Sequence, residues 1–86
     1  MIDWLAGLIE EYAEDGRMIQ IVINTNDGTE IETELIPESC VIKGDLLYIY
    51  STNDKRFVLN CENVDYDEVD DIVTCSSNMS NIYIEL

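Results

Sequence analysis

Histidine is absent from this 86-residue chain, and only Arg17, Lys43, Lys55 and Arg56 carry positive charge. Without histidine the chain lacks the commonest general base and the commonest metal ligand at neutral pH. Four cations offer little to hold a phosphate backbone or an anionic membrane, so direct binding to either is disfavoured. No stretch approaches the roughly 20 consecutive apolar residues of a membrane-spanning helix. The N-terminal segment has no basic lead, and acids interrupt its apolar residues within ten positions, so no signal peptide is expected. Cys40, Cys61 and Cys75 are odd in number and form no C-x-x-C pair. This predicts free thiols in the core and a reducing, cytoplasmic setting. A cysteine nucleophile needs an activating base or a cationic surrounding, and a negative field raises a thiol pKa instead. No P-loop, G-x-G-x-x-G or G-x-S-x-G pattern occurs, and an enzyme is not expected.

What is present in excess is negative charge. Nineteen acidic residues against four cations give a net charge of -15. Solubility alone needs a magnitude of only about 2–8 in a small domain. The surplus costs stability through self-repulsion, which salt screens in part. Halophilic adaptation is one source of such a charge, and a surface made for a basic partner is another. Nearly half of the residues are apolar, so the chain has the material for one core and one domain over residues 1–86.

The segment 18–36 organises the rest. It holds two alternating runs joined by Asn26-Asp27-Gly28, a strong hairpin signal. Ile19, Ile21 and Ile23 share one face of the first run. In the second run Ile31, Thr33 and Leu35 share one face, and Glu30, Glu32 and Glu34 project from the other. Ahead of the hairpin, residues 3–15 read as a helix with an apolar stripe of Leu5, Leu8, Ile9 and Tyr12. Asp3 is the expected N-cap, Gly16 the left-handed C-terminal residue, and Trp4 is expected to pack beneath the helix. Glu10, Glu11, Glu14 and Asp15 crowd its C-terminal end, where the helix dipole disfavours them by about 0.3–1 kcal/mol each.

Strands fill the remainder, about 40–86. Pro37 is expected to bend or end the second strand, with Cys40-Val41-Ile42 continuing it after a bulge. Residues 46–50 read as a central strand, or one covered by the helix, because both of its faces are apolar. Residues 51–55 read as a polar turn, 56–61 as a strand, 72–75 as a strand, 76–80 as a loop and 81–86 as a final strand. Residues 62–71 hold six acids in ten positions and read as a loop with apolar anchors or a short helical turn. The fold class is therefore α+β: an N-terminal helix followed by a small antiparallel sheet curled into a barrel. This order of elements resembles the Sm-like and SH3-like barrels, the hairpin 19–35 with Asp27-Gly28 at its turn fitting the start of an Sm-like chain. The basic RNA-contacting residues of Sm-like proteins do not appear in the later part. The last strand reads Ile82-Tyr83-Ile84-Glu85 instead of carrying an Arg-Gly pair, so RNA binding does not carry over.

Three site chemistries remain. Asn63, Asp65 and Asp67 alternate as the first ligands of an EF-hand do, but Glu68 stands where Gly is needed and Thr74 where Glu is needed, so that motif fails. An irregular Ca²⁺ or Mg²⁺ site in 62–71 competes with a plain solvated loop, and no cofactor is expected. The Asn78-Met79-Ser80 triplet matters as a glycosylation acceptor only in a secreted eukaryotic protein. Nucleic-acid mimicry is the third. Glu30, Glu32 and Glu34 project at a spacing of about 6.8 Å, twice the strand rise. One strand of duplex DNA carries a charge about every 3.4 Å. With Glu62, Asp65, Asp67, Glu68, Asp70 and Asp71, these residues form a candidate surface for the basic groove of a nucleic-acid-binding enzyme. Tyr66 is its candidate anchor. The plainer reading of the three glutamates is the polar face of a half-buried strand. In size, acidity and lack of catalytic motifs the chain resembles phage-encoded anti-CRISPR and anti-restriction inhibitors that mimic DNA. That resemblance implies occlusion of a nuclease channel in the host cytoplasm. The alternative is a small assembly module that adds strands through an apolar edge at 82–86.

Overall fold

The computed structural model describes every residue except Asn53, Asn78 and Met79. Parts of the expected turn at 51–55, of the loop at 76–80 and of the Asn78-Met79-Ser80 triplet therefore lie outside the described residues. Helix α1 (Ile2–Asp15) opens the chain. Its cap lies two residues ahead of the signal at Asp3. Met1 takes the N-cap position without a side-chain bond, and Asp3 falls in the first turn, where its charge suits the dipole. The helix ends as Gly16 predicts. Gly16 adopts φ 65°, its N–H donates to the Ala13 carbonyl, and the Arg17 N–H donates to that of Tyr12. This double closure satisfies carbonyls that the helix leaves open. The Arg17 guanidinium then lies 4.3 Å from the Tyr12 ring centroid.

Strands β1 (Ile19–Thr25) and β2 (Glu30–Leu35) form the expected hairpin. The loop residues Asn26, Asp27 and Gly28 close it, with Gly28 at φ 89° and its N–H donating to the Thr25 carbonyl. Asp27 fixes the turn by accepting from the Thr29 N–H at 3.0 Å and from the Thr25 hydroxyl. Those bonds, the Thr25 hydroxyl first, hold the Asp27 carboxyl down at about 2.

After β2 the chain changes sheets. Strand β3 (Pro37–Lys43) does not continue β2 past a bulge. It pairs with β4 (Leu46–Ser51), and β4 pairs with β5 (Arg56–Asn60). The bulge is present, but inside the β3–β4 ladder, between Pro37 and Ser39. Pro37 is fully buried, so the crossing is a fixed corner. Strand β4 is central, as its two apolar faces suggest.

Strand β6 (Asn63–Asp67) corrects the loop expected over 62–71, and a turn at 68–71 leads from it to β7 (Ile72–Ser76). Its alternation was masked because acids and Asn fill the outward positions while only Val64 and Tyr66 face inward. With β8 (Ser80–Glu85) the first sheet is complete, in the order β2-β1-β8-β7-β6, against a second of β3-β4-β5. Every pairing in both sheets is antiparallel. The class is α+β as expected, but the strands divide into two sheets. Among the described residues no ladder closes them into a barrel.

The core lies between the sheets, with α1 packed on β3. Ile19, Ile21, Val73, Cys75, Ile82 and Ile84 come from the five-stranded sheet, and Leu47, Ile49 and Leu59 from the other. Leu5, Ala6, Ile9 and Tyr12 come from the helix, so Ala6 joins the stripe more deeply than Leu8. Trp4 is not tucked under the helix: it is 39 % exposed and rests against Tyr66, ring centroids 5.0 Å apart.

Candidate functional site: an acid-rimmed sheet face

Residues directly paired across antiparallel strands share a face. The ladders therefore set out the outer face of the five-stranded sheet as three rows of five. One row runs Glu30, Asn24, Asn81, Ser76, Asn63. The next runs Glu32, Val22, Tyr83, Thr74, Asp65, and the third Glu34, Gln20, Glu85, Ile72, Asp67. Six positions are acidic and none is cationic. All six acids are exposed, five of them on the edge strands β2 and β6. Between the rims run three strands that carry one charge on this face, Glu85; there Val22 is buried and Tyr83, Thr74 and Ile72 are half-buried.

Two of the acidic stretches thus meet on one surface. Glu30, Glu32 and Glu34 line one rim, and Asp65 and Asp67 line the other. Four strand spacings separate them, about 19 Å. They are not parallel rails, because each strand step in a sheet turns by roughly 20–25°. The face is saddle-shaped, with rims that turn relative to each other. Glu85 joins it on β8. Nothing local to the last strand shows that Glu85 shares a row with Glu34.

Other expected contributors stand elsewhere. Tyr66 does not share the face of the other candidates. It faces the opposite side of β6 from Asp65 and Asp67, half-buried against Trp4, and its hydroxyl donates to Asp71 Oδ1 at 2.6 Å. That bond to a carboxylate raises the Tyr66 pKa above its ordinary value. Asp71 sits at φ 58° in the turn. Asp67 also organises this turn, its Oδ1 accepting from the Val69 N–H at 2.9 Å and the Asp70 N–H at 3.3 Å. Glu68 and Asp70 are exposed in the turn, and Glu62 is exposed just ahead of β6. Val69, one of the apolar residues of 62–71, stands at the tip and is 92 % exposed. Among the described residues no three His, Cys, Asp or Glu side chains are grouped to hold a metal ion.

The outer face of the second sheet has the opposite character. Its rows are Lys43, Leu46, Asn60; Val41, Tyr48, Val58; and Ser39, Tyr50, Arg56. It carries no acid. Lys43 Nζ and the Arg56 guanidinium lie 5.1 and 5.5 Å from the Tyr48 ring centroid. Charge is therefore sorted between the two sheets. The segment 82–86 is corrected as an apolar edge: β8 lies between β1 and β7, and its backbone bonds are used on both sides.

Cys40 is no better placed for chemistry. Its thiol donates to the Ala6 carbonyl at 3.4 Å, and burial, then the nearby Glu10 carboxylate, push its pKa up. Glu10, Ala13 and Glu14 of the helix and Glu38 and Ser39 of β3 line an open groove of about 310 Å³ beside it. No described helix is long and apolar enough to cross a membrane. No family model, no curated protein and no solved structure matches this chain.

Proposed function

We propose that this chain is a non-enzymatic binding protein. Its five-stranded sheet presents an acid-rimmed face to the basic, nucleic-acid-binding groove of a partner and keeps nucleic acid out. The observation that carries this reading is the face itself: six carboxylates, no cation, and a central strip, charged at Glu85 alone, with Tyr83 at its middle. A basic groove attracts such a face at long range, and the strip supplies contact once water leaves. The opposite sheet holds Lys43 and Arg56, so the sorted charge orients the molecule with its acidic face leading. The saddle shape favours occlusion by charge and bulk over an imitation of the duplex. The resemblance in size and acidity to phage-encoded anti-CRISPR and anti-restriction inhibitors makes a bacterial defence nuclease the expected class of partner.

The test is a low-salt pull-down from bacterial lysate with the wild-type chain and E30K/E32K/E34K side by side, eluted in salt steps. Support is a nucleic-acid-binding enzyme held by wild type, released at moderate salt, inhibited in its nuclease or DNA-binding assay, and lost by the variant. Equal capture by both chains removes this face from the reading. Recovery of the protein alone through salt-resistant contacts replaces the reading with a self-assembling module.

A further inference from the structure

Cys61 and Cys75 lie in the core with their sulfurs 3.8 Å apart. Cys61 occupies the crossing from β5 to β6, where its N–H donates to the Asp45 carbonyl at 2.7 Å. Cys75 is the penultimate residue of β7, paired with Val64 on one side and Ile82 on the other. The first is 6 % exposed and the second 1 %. A disulfide needs its sulfurs at about 2.05 Å. The gap to be closed is under 2 Å, within reach of small side-chain adjustments. Cys40 takes no part in this pair, since its sulfur contacts Ala6 and Glu10 of the helix.

We infer that Cys61 and Cys75 form an oxidisable dithiol, which a small peroxide converts to an intramolecular disulfide. The bond would close a loop that contains β6 and the 68–71 turn, the elements that hold Asp65, Asp67, Glu68, Asp70 and Asp71. Oxidation would tether the entry to one rim of the acidic face, β6, to its neighbouring strand β7. Cys61 is the attacking sulfur, because it is the more exposed and its contact with Cys75 favours its thiolate while keeping Cys75 protonated. The Cys61 thiolate attacks one peroxide oxygen. The O–O bond breaks, hydroxide leaves and takes a proton to become water, and Cys61 becomes a sulfenic acid. The Cys75 sulfur then attacks the Cys61 sulfur, the S–O bond breaks, and a second water departs with the Cys75 proton. Overall, two thiols lose two electrons and hydrogen peroxide is reduced to two waters. Burial admits a small oxidant more readily than a bulky disulfide.

The experiment treats the folded wild-type chain with hydrogen peroxide, removes the oxidant, and measures intact mass and thiol number after unfolding. The expected product has lost the mass of two hydrogens and retains one of the three thiols, and its peptide map shows Cys61 joined to Cys75. Its thermal midpoint should rise by roughly 10–20 °C, as a loop of this length implies, and fall back on reduction. The C40S variant should form the same disulfide, show the same rise in thermal midpoint and retain no thiol. Three surviving thiols, or oxygen added to Cys40 with Cys61 and Cys75 still free, would overturn the inference. A disulfide between two chains would overturn it equally. The peptide map uses the wild-type chain, so the result does not depend on whether C61S folds. It is also independent of partner binding, so it stands or falls separately from the proposed function.

Discussion

Glu32 and Asp65 stand in the same cross-strand row, at opposite edges of one sheet, with Val22, Tyr83 and Thr74 between them. Acids 33 residues apart in sequence therefore belong to one surface. If a partner covers both rims, reversing either should weaken binding. E30K/E32K/E34K and D65K/D67K are each expected to lower affinity at least tenfold at low salt and to flatten its salt dependence. The rims lie about 19 Å apart, so their losses should add in the five-fold charge-reversal variant. Titration calorimetry across a salt series measures this. A loss confined to one rim would place the partner on that edge alone. K43E, on the other sheet, should leave affinity within about twofold.

Tyr83 lies at the middle of the strip, and its ring is half-buried on the outer side while Ile82 and Ile84 bind the strand to the core. Interface energy concentrates in central aromatic residues ringed by polar ones. Y83A should cost more than about 1 kcal/mol of partner binding, seen as faster dissociation in a surface-binding assay, with association little changed. An unchanged dissociation rate would show that the strip is not in the contact.

Ile21 and Ile31 share the inner face of the hairpin, but Ile21 is fully buried and Ile31 is 49 % exposed. I21A should cost about 2–5 kcal/mol in urea unfolding, the ordinary range for emptying a core position. I31A should cost less than about 1 kcal/mol, because its surface is largely in water already. Similar losses at both positions would mean that the distal end of the hairpin is covered.

This contrast shows what the sequence could carry. Period-two alternation identified the inner face of 19–35, and Asn26-Asp27-Gly28 located the turn, because both signals are local. The fading of burial from Ile19 to Ile31 depends on where the second sheet stops, which no local pattern encodes. The same limit hid the rest of the site. Glu30, Glu32 and Glu34 were legible as a row. Their union with Glu85 and Asp65 depends on the order β2-β1-β8-β7-β6, in which sequence-distant strands become neighbours. Strand β6 escaped notice because its outward residues are Asn63, Asp65 and Asp67, poor strand formers held in place by pairing with β7. The side of Tyr66 was hidden for a related reason: only strand geometry separates it from Asp65 and Asp67 and turns it toward Trp4.

The Tyr66–Asp71 bond gives an alkaline signature. A carboxylate acceptor raises the Tyr66 pKa, so the phenol loses its proton later in the folded chain than in the unfolded one. The stability from this bond is fully present below the unfolded value near 10 and is lost as pH rises through the higher folded value. Y66F keeps the ring contact with Trp4 and removes the hydroxyl. Its thermal midpoint should be lower than that of wild type at pH 8, and the gap should narrow above pH 10. A constant gap would mean that the bond does not form in solution.

Asp27 gives the opposite signature at the acid end. Its carboxyl is held at about 2, against an ordinary 3.8, by the Thr25 hydroxyl and then by Thr29. A lowered folded value means that this stability is present above 3.8 and is lost as pH falls through about 2. Most other carboxylates in this chain repel one another, and their protonation relieves the net charge of -15. Acid therefore acts in two directions, easing repulsion across the molecule while loosening the β1–β2 turn that presents Glu30, Glu32 and Glu34. D27N separates the two, because asparagine still offers an oxygen to Thr25 and Thr29 but does not titrate there. Carboxyl NMR should show Asp27 titrating well below its ordinary 3.8. Between pH 4 and 2 the variant should hold its thermal midpoint better than wild type. An Asp27 midpoint near 3.8 would mean that the turn is open in solution and that the first rim of the face is not held in place.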